Sequence, residues 1–297
     1  MNENFKFIIS GSKGWLSHHF AYKVNNLGYS IFEIENKNMW EEAQLFASKD
    51  SKKTILIHNA FESPHSNQST NSDTYKSKLD ENFVIVENLI NNVHLDAIFY
   101  PSTGRVYEQN RGKSEIFDIY ADQKLFEEEQ LKSFVKKYDF SLIIPRIFSL
   151  IGPNNFFNSK SSFQSLISET AIRKNLKIRS NTNNLHSISI MDNLIILTLS
   201  ILLNRKKNEL FQFDVVDNDV TLIYFSELIF QKLNLDLKNL DYNIDPKLNR
   251  KEYVGSQTEY LKLMQKYVKN PFTLENYLSF ILNNQLQPSE LPQFKHL

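Results

Sequence analysis

The chain has 297 residues, with 34 Lys+Arg against 34 Asp+Glu and no cysteine. The missing cysteines exclude disulfides, thiolate catalysis and Cys-ligated zinc or iron–sulfur centres, and the balanced charge gives no long-range pull toward phosphate backbones or anionic lipid. The length suits one large domain or two intimate ones, and 41% hydrophobic with 23% charged residues is a globular composition.

The segment Met1 to Ile9 has no basic stretch followed by a long apolar run, so no signal peptide is expected. The longest apolar run, Leu194 to Leu203, falls well short of the roughly 20 residues that span a bilayer. It predicts a buried helix. A cytoplasmic protein without membrane insertion and without a nucleic-acid partner is the expectation.

Phe5 to Ser10 reads as a buried strand, broken by Gly11-Ser12-Lys13-Gly14. Leu16, Phe20, Val24 and Leu27 then recur on one helix face, and Gly28 closes that helix. A second strand runs from Ser30 to Glu35. Strand, glycine turn, helix and strand make a right-handed crossover unit and demand a parallel sheet. Thr54 to His58 is a third strand, residues 61–75 read as an exposed polar loop, and Phe83 to Val93 as a helix. Ala97 to Tyr100 is a strand stopped by Pro101. Tyr120 to Tyr138 is a long helix with Glu127, Glu128 and Glu129 in its first half and Lys136 and Lys137 at its end, which suits the helix dipole. Ser141 to Ile144 is a strand ending at Pro145, and Leu274 to Asn283 a helix.

Two signals carry chemistry. Gly11-x-x-Gly14-x-x-Ser17 lies between a strand and a helix, where a backbone can approach a pyrophosphate that rests on the helix N-terminus. Glu35 ends the second strand, where an acid can bind ribose hydroxyls and favour NAD. Lys13 and Lys37 could instead meet the 2′-phosphate of NADP. Tyr120 and Lys124, at i and i+4, share one helix face, and Ser102 and Thr103 sit at the carboxyl end of the fourth strand. A lysine ammonium beside a phenol lowers the phenol's pKa toward the working pH, and a hydroxyl can orient a carbonyl or alcohol. His18, His19, His58 and His65 have no metal-ligand spacing, so no metal is expected.

With these motifs in place, nearly the whole chain resembles the extended short-chain dehydrogenase/reductase family, in its NAD-dependent epimerase/dehydratase group. Gly11 to Ser17 looks like the glycine motif, His58-Asn59-Ala60-Phe61 resembles H-x-A-A, and Asn82 matches the Asn opening the next helix. Ser102 to Tyr107 is similar to S-S-x-x-V-Y, and Tyr120 and Lys124 match the catalytic pair. Pro145 to Pro153 looks like R-x-x-N-x-Y-G-P, with Ser149 and Ile151 replacing Asn and Tyr, and Asp192 matches the end of F-I-H-V-x-D.

The resemblance implies an α/β fold: a Rossmann-type doubly wound parallel sheet over 1–150 and about 185–215, with a smaller interleaved substrate lobe from 151–184 and 216–297. It implies Thr103, Tyr120 and Lys124 as catalytic residues. Gly11, Ser12, Lys13, Gly14, Trp15, Leu16, Glu35, Asn59, Ala60, Phe61, Tyr120, Lys124 and Ile147 would hold NAD(H), with NADP(H) not excluded. Thr103, Gly104, Arg105, Ser149 and Arg179 would meet a nucleotide-sugar substrate in the cleft between the lobes, and helices 82–93 and 120–138 would pair in a homodimer. The stretch from Asn36 to Lys53 is too short for the usual extra strand and helix. The Asp-Glu pair of family dehydratases is replaced by Gly104 and Arg105, which disfavours water elimination. The leading expectation is a reductase of a nucleotide-linked 4-keto-6-deoxy sugar for a surface glycan. The alternatives are a 4-epimerase with retained NAD and a catalytically lapsed dinucleotide-binding sensor or scaffold.

Overall fold

The computed structural model describes residues 4–62, 64, 71–107, 115–153, 162–178, 183–242 and 252–285. They form two compact units, residues 1–146 with 198–213 and residues 147–197 with 214–297.

The first unit contains β1 (Phe5–Ser10), α1 (Trp15–Asn26), β2 (Ser30–Ile34), α2 (Trp40–Ser48), β3 (Lys53–His58), α3 (Ser72–Asn92), β4 (Ala97–Phe99), β5 (Ser102–Thr103), α4 (Glu115–Tyr138) and most of β6 (Ser141–Ile147). The neighbour pairs β2–β1, β1–β3, β3–β4 and β4–β6 are all parallel. This is a Rossmann-type sheet. Its central strands β1 and β3 are buried along almost their whole length because helices cover both faces. Ile8, Leu56, Ile98 and Leu142 pack there with Val86 and Leu89 of α3 and Leu131 of α4. Strand β6 runs through Pro145 rather than stopping before it. Its ladder to β4 ends at Ile143, two residues before the proline.

Helix α2 shows why a lysine sits inside β1. Lys6 is buried, and its Nζ donates to the Phe46 and Ala47 carbonyls at 3.1 and 2.6 Å and pairs with Asp50 Oδ1 at 2.7 Å. A cation at a helix C-terminus answers its unpaired carbonyls. The stretch after Asn36 therefore does hold a helix, without an extra strand. Helix α3 starts eleven residues before Phe83, the start expected from the sequence. The Asn71 side chain caps it, accepting from the N–H groups of Asp73 and Thr74. Helix α4 likewise begins at Glu115, so Tyr120 lies inside it rather than at its start.

The second unit contains β7 (Ser149–Ile151), α5 (Ser162–Arg173), β8 (Leu176–Ile178), β9 (Leu185–Ile190), the first half of α6 (Met191–Asn204), the end of β10 (Leu210–Val215), β11 (Asn218–Thr221), α7 (Leu222–Lys232), β12 (Leu240–Tyr242), β13 (Glu252–Tyr253), α8 (Gln257–Tyr267) and α9 (Leu274–Gln285). Strand β9 pairs with β7 and β13 in parallel and with β11 antiparallel. Residues 185–197, which the sequence reading places with the dinucleotide domain, cluster here because of those pairings. A buried polar group ties the unit together. Tyr277 donates to Asp192 at 2.5 Å, while Asn193 donates to Asp217 and exchanges two hydrogen bonds with the Phe272 backbone.

No helix among the described residues is long and apolar enough to cross a membrane. Among those residues, no three His, Asp or Glu side chains converge to hold a metal ion.

Candidate active site

The β1–α1 turn is built for close approach. Gly11 has a φ of +67°, and a Cβ there would lie 2.6 Å from the Asn59 carbonyl oxygen and 2.7 Å from Ala60 Cα. The Gly14 N–H donates to the Gly11 carbonyl at 2.8 Å, and Gly14 is the N-cap of α1. Glycine offers no capping side chain, so the first-turn N–H groups from Trp15 and Leu16 onward form a positive helix end. Ser12 is buried in the turn. Ser17 anchors it from the helix, its hydroxyl donating to the Ser10 carbonyl at 3.3 Å.

Asn59 and Ala60 follow β3 directly and lie against Gly11. The Asn59 carboxamide is buried with neither polar atom hydrogen-bonded, an arrangement that costs free energy unless something else pairs with it. At the far end of β2, Lys13 Nζ and Glu35 lie 3.3 Å apart with side chains 77% and 56% exposed. The Lys37 side chain lies outside the described residues.

The second half of the site is organised by α4, which packs on β5 and the turn after it. Thr103 is buried, and its hydroxyl oxygen accepts from the Arg105 N–H. Gly104 and Arg105 begin that turn, and Arg105 stacks on Phe117 at 4.3 Å. Tyr120 is half-buried beside Tyr75, Leu79 and Ile116. Burial pushes its phenol up to about 12, with Arg105 acting against the rise. This departs from the sequence expectation of a lowered phenol. The Lys124 amine turns elsewhere, donating to the Pro101 carbonyl at 3.0 Å and the Tyr100 hydroxyl at 3.3 Å. It lies over the Phe61 ring, 4.5 Å from the Tyr100 ring centroid and 5.9 Å from that of Tyr120. Burial holds its pKa well below the usual lysine value, against the pull of Glu128.

Several side chains of this neighbourhood had no role in the site assigned from the sequence. Tyr100 donates a hydrogen bond to Glu127, whose other oxygen accepts from Gln123 at 3.1 Å. Glu128 grips Arg146 in a fork, at 3.1 Å from Nε and 2.6 Å from a terminal nitrogen, and Arg146 also donates to Tyr107 at 2.7 Å. Glu127 and Glu128 are only 3% and 0% exposed, so of the three consecutive glutamates only Glu129 serves as solvated helix surface. The available signal was their spacing, three and four residues after Lys124, which turns them to the same buried side. His58 is a structural residue. Its Nδ1 pairs with the Ser10 hydroxyl at 2.7 Å, and burial with Lys124 nearby pushes it down to about 3, so it stays neutral.

The glycine turn, the Asn59 pocket and the Tyr120–Lys124 helix face thus lie in one parallel-sheet unit. The family model for the NAD dependent epimerase/dehydratase family matches residues 7–187. The chain belongs to that family. Its fold is similar to the UDP-glucose 4-epimerase of Thermotoga maritima, at 15% identity over 96% of this chain and 100% of the other, with a TM-score of 0.75. The UDP-glucose 4-epimerase of Thermus thermophilus gives 12% identity over 95% and 99%, with a TM-score of 0.72. The dTDP-glucose 4,6-dehydratase of Bacillus anthracis gives 13% over 96% and 97%, also with a TM-score of 0.72. The latter two structures contain NAD. No curated protein matches the sequence.

What this epimerase/dehydratase-family site presents fits a dinucleotide. A backbone cradle that a Cβ would fill, a helix N-terminus beside it and an unpaired buried carboxamide are complementary to a diphosphate and its sugars. Of the remaining expected residues, Ile147 ends β6 and Ser149 opens β7 opposite Ile188 in the second unit. Arg179 lies outside the described residues.

Proposed function

We propose that the chain is an NAD(H)-dependent oxidoreductase of a nucleotide-linked sugar, acting as a reductase of a 4-keto-6-deoxy sugar. The observation that carries this reading is the buried Thr103 beside the α4 face of Tyr120 and Lys124, followed by Gly104 and Arg105 where a dehydratase acid pair would stand. The Gly11–Gly14 turn and the Asn59 carboxamide would hold the dinucleotide, with Glu35 toward the ribose hydroxyls. NAD(H) would supply the hydride.

In this reading the Tyr120 hydroxyl gives its proton to the carbonyl oxygen, the Thr103 hydroxyl hydrogen-bonds the same oxygen, and Lys124 binds ribose hydroxyls. A phenol held up to about 12 is protonated at working pH. That suits a proton donor to a carbonyl better than a base that must first oxidise an alcohol. The exposed Lys13–Glu35 edge suits a dinucleotide that exchanges at each turnover.

The test is to denature the purified protein, identify any released dinucleotide by mass, and titrate the empty protein with NADH and NADPH. The reductase reading expects an empty or partly filled protein that binds NADH and oxidises it when given a nucleotide-linked 4-keto-6-deoxy sugar. Stoichiometric bound NAD with turnover of an unoxidised nucleotide sugar would replace it with the 4-epimerase. Failure to bind either dinucleotide would leave no enzyme reading.

A further inference from the structure

Lys124, Tyr100 and Glu127 form a continuous chain of polar atoms inside the first unit. Lys124 Nζ lies 3.3 Å from the Tyr100 oxygen, and the Tyr100 hydroxyl is hydrogen-bonded to Glu127 Oε2. The three side chains are 1%, 0% and 3% exposed. The proposed reaction gives Tyr100 and Glu127 no task, and a buried carboxyl is costly to keep without one.

The groups facing this chain are few. Toward Lys124 lie Glu128, the Pro101 carbonyl, neutral His58 and the rings of Phe61 and Tyr120. Toward Glu127 lie Gln123 on its own helix and Asp80, an exposed carboxylate on α3. The chain therefore runs from the catalytic lysine toward the solvent face of a neighbouring helix. A phenol hydroxyl can donate and accept at once, so it can pass a proton in either direction.

We propose that Lys124, Tyr100 and Glu127 are a proton route, in which Glu127 stores the proton that charges Lys124 when a dinucleotide binds. The step balances internally. With both hydrogen bonds turned from their resting directions, the Glu127 carboxyl gives its proton to the Tyr100 oxygen, the Tyr100 O–H gives its own to the Lys124 amine, and carboxylate and ammonium result with Tyr100 restored. The negative diphosphate of the dinucleotide favours the ammonium. Burial supports the starting state, since it holds Glu127 up to about 9 and Lys124 down. Tyr100 and Glu127 are positioning residues here, acting on substrate only through Lys124. The inference rests on the proposed use of NAD(H).

The test uses the full chain with glutamate isotope-labelled at the side-chain carboxyl, read by infrared difference spectroscopy, with NADH as the probe. Wild type at neutral pH is expected to show a protonated carboxyl band that is absent in Glu127→Gln. The band should vanish on saturation with NADH, keeping pace with binding followed by NADH fluorescence. In Tyr100→Phe, which keeps the ring but removes the relay oxygen, the band change should lag binding by about tenfold or more. No protonated band in wild type, a band that survives NADH saturation, or a Tyr100→Phe response as fast as wild type would overturn the route. The wild-type band and its response decide the matter should Tyr100→Phe not fold. Normal NADH binding with an unmoved band overturns the route alone, whereas no NADH binding overturns the proposed function with it.

Discussion

The buried Glu127–Lys124 pair makes a prediction about stability that needs no substrate. In the folded protein Glu127 is protonated up to about 9, against an ordinary value of 4.5, so between those values the folded state binds one proton more than the unfolded state at this site. A raised acid pKa makes stability fall as pH rises through that window. Lys124 is the mirror case. Its folded pKa lies well below 10.5, so above it the folded state binds one proton fewer, and stability rises with pH up to 10.5. Burial is the leading cause of each shift, so removing one partner leaves the other shifted.

One unit of pKa corresponds to about 1.4 kcal/mol, so each group alone tilts stability by about 1.4 kcal/mol per pH unit. In wild type the two tilts oppose each other. Lys124→Met removes the rising tilt and should lose stability relative to wild type as pH rises from about 7 to 9. Glu127→Gln removes the falling tilt and should gain about 2 kcal/mol relative to wild type over the same interval, allowing for Glu127 half-titrating at its top. Urea unfolding at several pH values, compared at constant m, reads these differences, and titrations elsewhere in the chain cancel in the subtraction. Two variants whose stability runs parallel to wild type would mean that the pair is a charged ion pair in the folded protein. The argument from burial would then be wrong.

Three further outcomes follow from the site. Tyr120→Phe should lower turnover by about 10²- to 10⁴-fold, the usual worth of a positioned proton donor, while NADH titration gives nearly the wild-type affinity; unchanged turnover would remove Tyr120 from the chemistry. Gly11→Ala should abolish measurable NADH binding and cost about 1–3 kcal/mol of stability, because its Cβ meets the rigid backbone of Asn59 and Ala60 at a positive φ. Wild-type affinity in that variant would show that the turn does not need its glycine. Glu128→Gln should cost about 3 kcal/mol in urea unfolding, since it leaves the Arg146 fork charged and unpaired beside Gln212; a neutral effect would mean that solvent reaches the pair.

The parts of this fold legible in the sequence are those whose causes are local. β1, the glycine turn, α1 and β2 succeed one another within about thirty residues, and each leaves a periodic or conformational signature. The start of α3 is also local, yet it was obscured. Residues 61–75 are polar enough to read as loop, although Asn71 is a capping residue and Tyr75, Leu79, Phe83 and Val86 already follow helical spacing. Tyr120 and Lys124 were visible because four residues on a helix bring them to one face. Their surroundings were not. Tyr100 and Glu127 meet across 27 residues of sequence, and Lys6 and Asp50 across 44. Nothing in the sequence shows that a lysine in a strand answers the end of a helix until α2 lies against it.

The same distinction explains the phenol. From spacing alone, an ammonium four residues away should make Tyr120 more acidic. In the folded chain the Lys124 amine is spent on the Pro101 carbonyl, the Tyr100 oxygen and aromatic faces. Burial then raises Tyr120 and Glu127 and lowers Lys124 together, which moves each of the three toward its uncharged form, with the Arg146–Glu128 ion pair beside them. Acids held toward their protonated forms are poised to give protons rather than to take them. On the proposed function the charge that changes this balance comes with the ligand, and a diphosphate at the α1 N-terminus would supply it with the sign that favours the Lys124 ammonium. On this argument cofactor binding, and not the α4 motif by itself, sets the acidity of Tyr120. A measured phenol pKa that is already low before NADH is added would separate the motif from the cofactor and refute it.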